Sequence, residues 1–161
     1  MAATGLDVFD RTLQATNLWL DEVMKDLGPD RKTAYRVLGA VLHALRDRLT
    51  VDEAADLAAQ LPLLVRGIFF DGWRPAGKPD KIRTLEEFLS RISSELHDLR
   101  PVNSETAARA VFRTIGLRVS AGEVAQVRAQ LPGPIRRLWP ENASAVAAEP
   151  AHAGKKPARA G

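Results

Sequence analysis

Two matched pairs of polar residues carry the most suggestive chemistry in this chain: Gln60 with Gln130, and Arg66 with Arg136, each pair seventy positions apart. A guanidinium presents a rigid fork of donors that can grip a carboxylate or phosphate in two parallel bonds. A carboxamide donates and accepts at once, so Gln60 and Gln130, beside Pro62 and Pro132, are placed at helix junctions where they could meet a ligand. The structural alternative is self-contained. The arginines would pair with an acid of their own segment, such as Glu53 or Glu123, and the glutamines would satisfy carbonyls freed where a helix stops before proline.

Other candidate chemistry is thinner. Asp52, Glu53 and Asp56 fall within one helical turn, which suggests acid–base work or a metal. Their place at a helix start, where negative charge is stabilised by the backbone dipole, explains them without a ligand. His43, His97 and His152 are scattered and none stands in a paired helical motif, so they read as surface histidines. The glycines between Gly72 and Gly77 lack the preceding strand that a phosphate loop needs. Arg109 and Arg113, four apart and off the apolar stripe, could make a basic face with Arg136 or Arg137, facing an acidic protein or nucleic acid. No aromatic residues interleave with them, so base stacking has no support. The sequence therefore predicts no catalytic set, no cofactor and no metal, and a non-enzymatic role.

The paired spacing has a simple origin. The segment 50–70 aligns without a gap on 120–140, sharing Glu53/Glu123, Ala55/Ala125, Ala59/Ala129, Gln60/Gln130, Leu61/Leu131, Pro62/Pro132 and Arg66/Arg136. Chance would supply roughly one or two such identities. Upstream, Ala40/Ala110, Val41/Val111 and Arg48/Arg118 continue the register. The expected fold is all-α, with two tandem four-helix repeats (about 1–70 and 71–140) sharing one core in a single domain over 1–140.

The elements that would carry these residues follow from apolar spacing. A first amphipathic helix spans about 7–27, with Phe9, Leu13, Leu20, Val23, Met24 and Leu27 as its stripe, and Gly28-Pro29 ends it. Asp30 caps a second helix burying Ala34, Leu38, Val41, Leu42, Leu45 and Leu49, with Arg36, Arg46 and Asp47 on its other face. Thr50 to Glu53 forms a capping box, in which the hydroxyl accepts from the Glu53 amide and the Glu53 carboxylate returns to the Thr50 amide. Ala54, Leu57, Ala58 and Leu61 face inward, Pro62 bends the chain, and 63–70 is a short apolar helix packed well into the core. After a turn-rich connection at 71–83, Thr84 opens a helix burying Leu85, Phe88, Leu89, Ile92 and Leu96. Asn103 or Ser104 caps the next, whose stripe is Ala107, Ala108, Val111, Phe112 and Ile115, and Ser120 to Glu123 is another capping box.

Composition bounds the rest. With 45% hydrophobic residues the chain can bury one sizeable core, and the absence of cysteine fits a reducing, cytoplasmic compartment. No segment reaches the roughly 18 apolar residues of a membrane span, and the opening residues lack the pattern of an export signal. Net charge is +3, and residues 71–140 hold 12 Lys+Arg against 8 Asp+Glu whereas 1–70 hold 8 against 10. The second half is the basic one. Residues 141–161 are Ala-, Pro- and Lys-rich and are expected to be a disordered tail, its Lys155, Lys156 and Arg159 a weak cue for nucleic acid. A protein partner is the leading expectation, nucleic acid the alternative, and a small ligand or enzymatic pocket between the repeats a third.

Asp52-Glu53-Ala54, Ala59-Gln60-Leu61-Pro62, Arg66-Gly67 and Gly72-Trp73, in that order, resemble a bacterial family, domain of unknown function 2267. The likeness extends over about Phe9 to Pro140 and includes Asp10 to Gln14, Asn17 to Leu20, Ala34 to Leu38 and Arg46 to Leu49. It implies a helical bacterial protein and carries no catalytic residue across. The second half departs from the pattern, with Gly133-Pro134 in place of Leu63-Leu64 and no Gly-Trp after Trp139.

Overall fold

The computed structural model describes residues 4–141. Among them eight helices follow in order: α1 (Asp7–Leu27), α2 (Arg31–Asp47), α3 (Val51–Ala59), α4 (Leu63–Phe70), α5 (Leu85–Ser94), α6 (Ser104–Arg118), α7 (Ala121–Gln130) and α8 (Gly133–Arg136). Of the tail expected at 141–161, residues 142–161 lie outside the described residues.

Helix boundaries obey local chemistry. Asp30 accepts from the Lys32 and Thr33 amides, Thr50 from Glu53, Thr84 from Glu87, Asn103 from Thr106 and Ser120 from Glu123, so five helices begin on a side-chain cap. Gly28 closes α1 at φ 95°, a conformation that costs a residue with a Cβ, and its amide returns to the Met24 carbonyl. Pro62 and Pro132 start α4 and α8, where the missing amide proton is no loss.

α2 lies at the centre, packed on α1, α4, α5 and α6, while α6 also meets α1, α5 and α7. The predicted stripes of α2, α3 and α6 are all buried: Leu38, Val41, Leu42 and Leu45 join Leu57, Leu61, Val111, Phe112 and Ile115 in one apolar cluster. Phe112 stacks on Trp139 with ring centroids 4.4 Å apart, which seats the end of the chain after α8 on α6.

Three expectations require correction. In α1 the buried stripe is Thr16, Trp19, Leu20 and Val23, whereas Phe9 and Leu13 are 49% and 42% exposed. The first turns of α1 meet α4 through the Thr12 hydroxyl, which accepts the Leu64 amide, and this contact leaves Phe9 and Leu13 uncovered. α4 buries only Val65 and Phe69, leaving Leu63 and Leu64 at the surface.

Arg46 and Asp47, expected on the face of α2 opposite its buried stripe, are both buried. Arg46 donates to Asp47 through Nε at 3.0 Å and to the carbonyls of Phe69 and Asp71 through Nη1. The second Asp47 oxygen receives Arg91 at 2.8 Å, and Lys78 stands 3.6 Å from the first. The Asp80 amide donates to the Asp47 carbonyl at 2.8 Å. This charge cluster ties the connection after α4 to α2 and α5. Apolar spacing could not reveal it, because a buried ion pair looks like a surface pair in sequence.

Candidate functional site

The Gln–Pro corners meet where α3 packs on α7. Gln60 Oε1 accepts from the Ser120 amide at 2.9 Å and its Nε2 donates to the Ser120 hydroxyl at 3.1 Å. Gln130 Oε1 accepts from the Thr50 amide at 3.1 Å. Each glutamine, at the end of one helix, therefore occupies the donor at the start of the other. Neither bonds a freed carbonyl or faces a cavity with its amide free.

That exchange also overturns half of the predicted capping boxes. Glu53 and Glu123 donate their amides to Thr50 and Ser120 as expected, at 3.2 and 3.3 Å. Their carboxylates do not return to the cap amides, because the glutamines already sit there. Both carboxyl groups turn inward instead, 6% and 8% exposed, where α3 packs on α7. Gln130 Nε2 reaches Glu53 Oε2 at 3.5 Å, and the Oε1 atom of each acid is buried without a partner. Burial, then the hydrogen bond and charge of Glu53, then the charge of Asp56, push the Glu123 carboxyl up to about 7. No sequence signal announced this pair beyond the identity of Glu53 and Glu123.

Arg66 and Arg136 act alike and without acids. Arg66 Nε donates to the Ala58 carbonyl at 2.8 Å, and Nη2 to those of Ala59 and Leu61. Arg136 Nε donates to the Arg128 carbonyl at 2.9 Å, and Nη2 to that of Leu131 at 2.8 Å. Both arginines thus close the C-terminal carbonyls of the preceding helix, where a cation is favoured by the backbone dipole.

The basic residues of α6 are engaged as well. Arg113 joins α6 to α1 through Asp26 and through the carboxylate and carbonyl of Glu22. Arg109 pairs with Glu105 one turn earlier at 2.9 Å and lies 3.4 Å from the carbonyl of Arg137, whose side chain is exposed. A surface cavity of about 350 Å³ runs along Asp26, Thr106, Arg109, Arg113 and Leu138. An anion entering it would have to displace these ion pairs.

Among the described residues the histidines and carboxylates assemble no metal site. His43 is half-buried, with Nδ1 3.0 Å from the Glu95 carboxylate and Nε2 2.7 Å from the Ile68 carbonyl. His97 bonds the Ser94 carbonyl, and His152 lies outside the described residues. Among the described residues no three His, Asp or Glu side chains are placed to hold a metal ion, and no helix is long and apolar enough to cross a membrane.

A second feature escaped the sequence reading. Between the first turns of α1 and the exposed side of α4 runs a groove of about 410 Å³, lined by Thr4, Phe9, Thr12, Leu13, Leu63, Leu64 and Gly67. Leu6 extends the apolar surface at its end. The Thr12 hydroxyl accepts the Leu64 amide at 2.8 Å and sets the floor, and a Cβ placed on Gly67 would meet nothing within 4 Å. On the α1 side Asp10 accepts the Thr4 amide at 3.2 Å and its hydroxyl at 3.0 Å, which holds Thr4 at the end of the groove. The cue was the apolar content of 63–70 in a helix only eight residues long, which is too short to bury every face.

Over the described residues these features define an all-α protein held by reciprocal helix caps, with an apolar groove on its outside. The chain belongs to the bacterial family described as an uncharacterized conserved protein, DUF2267, whose model matches residues 16–138. Among curated proteins no significant match is found.

Proposed function

We propose that this protein is a non-enzymatic interaction module, built from two tandem four-helix units around a shared core, that docks an amphipathic helix of a partner protein in the α1–α4 groove. The observation that carries the reading is the run of uncovered apolar side chains, Leu6, Phe9, Leu13, Leu63 and Leu64, around an open dent at Gly67. Apolar patches of this kind on a polar-rimmed surface are where proteins receive partners. The tandem reading is supported by the matched roles of Gln60 and Gln130 and of Arg66 and Arg136. A cytoplasmic address suits a chain without cysteine.

The test uses designed helical peptides with Leu at i, i+3, i+4 and i+7 and either Lys or Glu at the remaining positions, titrated into the full chain and followed by backbone amide shifts. Saturable binding is expected of both Leu-striped peptides, moving Leu13, Leu64 and Gly67, because the apolar stripe and not the flanking charge is what the groove receives. Phe9→Asp and Leu64→Asp should each weaken this binding tenfold or more. Binding that survives both variants, or no binding, overturns the proposal. A dimer dissolved by the same variants would assign the groove to a second copy, and binding only to anionic vesicles would assign it to a lipid surface; either result displaces the partner helix.

A further inference from the structure

We propose that Glu53 and Glu123 share one proton and form a proton-operated clasp between α3 and α7, which loosens when that proton leaves. This inference is independent of the groove. Two carboxyl groups in hydrogen-bond contact cannot both be charged without strong repulsion, and with one proton between them the contact becomes attractive. Here both are more than nine-tenths buried, both leave an Oε1 without any partner, and Gln130 offers the Glu53 Oε2 only a long contact at 3.5 Å. Water and cations are therefore poorly placed to dissipate a second negative charge.

No cation on the surrounding elements is among the groups acting on Glu123. On α3, Asp52 and Asp56 are exposed acids, and Asp56 adds to the repulsion on Glu123. On α4, Arg66 is fixed on the carbonyls of Ala58, Ala59 and Leu61. On α6, Arg118 lies 3.6 Å from Glu22, and after α7 Arg136 holds the carbonyls of Arg128 and Leu131. Arg48, at the corner before α3, bonds the Asp80 carbonyl, and Arg128 lies toward the other end of α7 from Glu123.

The direction of the effect follows. The Glu123 carboxyl is pushed from its ordinary 4.5 up to about 7, so the folded junction holds a proton that the unfolded chain would release. Its contribution is full below the ordinary carboxylate value, falls as pH rises from there, and is lost once pH passes about 7. Because Gln60 and Gln130 bridge the same two helices, loosening of the clasp exposes the Ser120 and Thr50 amides together.

Carboxyl-carbon NMR of the full chain, with amide hydrogen exchange read as protection factors from pH 5 to pH 8, tests this. One Glu carboxyl should titrate near neutral pH, and protection of α3 and α7 should fall on the order of 100-fold across that range. Glu123→Gln, which mimics the protonated acid, should keep its protection at pH 8. Titration of the Glu123 carboxyl near its ordinary 4.5, or an equal loss of protection in Glu123→Gln, overturns the proposal. Should that variant not fold, the carboxyl-carbon titration of the unaltered chain decides alone.

Discussion

Gln60 closes the start of α7 by meeting Ser120 twice, its Oε1 taking the amide at 2.9 Å and its Nε2 reaching the hydroxyl at 3.1 Å. In an ordinary capping box that amide is satisfied by the acid three residues on. Here the bond comes from sixty residues away, so local helix-start chemistry has become a tertiary contact. The displaced acid, Glu123, is free to turn toward Glu53.

Removing this bond should therefore act on tertiary stability rather than on one helix end. Gln60→Ala is expected to cost about 1 kcal/mol, and Ser120→Ala a similar amount. In a double-mutant cycle by urea unfolding, the two should fall short of additivity by roughly 0.5–1 kcal/mol. Strict additivity would mean that the two side chains stabilise the fold separately.

Asp47 makes a harsher prediction. Its carboxylate is 2% exposed and faces Arg46, Arg91 and Lys78, so Asp47→Ala leaves Arg46 buried with its charge uncompensated. Loss of one partner from a buried pair costs about 3–5 kcal/mol. The urea midpoint should drop accordingly, with Arg91→Ala, at the more exposed edge, losing far less. Equal losses would show that the cluster behaves as surface charge.

What the sequence disclosed was mostly what periodicity encodes. The stripes of α2, α3 and α6 are legible because each helix is covered by neighbours along its length, and the caps Asp30, Thr50 and Asn103 because their chemistry is local. Phe9, Leu13, Leu63 and Leu64 were misplaced because apolar spacing marks a face without saying whether anything covers it. Asp47 and Glu123 were misjudged for a related reason. A carboxylate is read as exposed or capping until its tertiary neighbours are known, and those neighbours come from distant segments.

Glu22 gives a pH prediction opposite in sign to the clasp. Hydrogen bonding from Lys25, then from Arg113, outweighs its desolvation and holds its carboxyl below the ordinary 4.5. A depressed acid contributes stability above its unfolded value and loses it as pH falls through the folded one. Arg113→Ala should thus be clearly less stable than the parent at pH 7, and the gap should narrow as pH is lowered toward 3. Urea midpoints at both ends of that range check it; a gap of constant size would locate the role of Arg113 in packing alone.

Leu64 and Val65 are neighbours in α4 with opposite surroundings, which separates the groove from the core in one experiment. Val65 is fully buried, whereas Leu64 is 40% exposed on the groove wall. An aspartate at 65 must either carry its charge into an apolar interior or drag the helix outward, and should cost more than about 4 kcal/mol. At 64 the carboxylate can turn to solvent, so Leu64→Asp should change stability by roughly 0.5 kcal/mol or less. The Leu64 variant should at the same time lose the Leu-striped peptides, giving a folded protein without its docking surface. If Leu64→Asp instead unfolds the chain, the apolar wall of the groove is part of what holds α4 to α1, and its exposed face has a structural purpose rather than a partner.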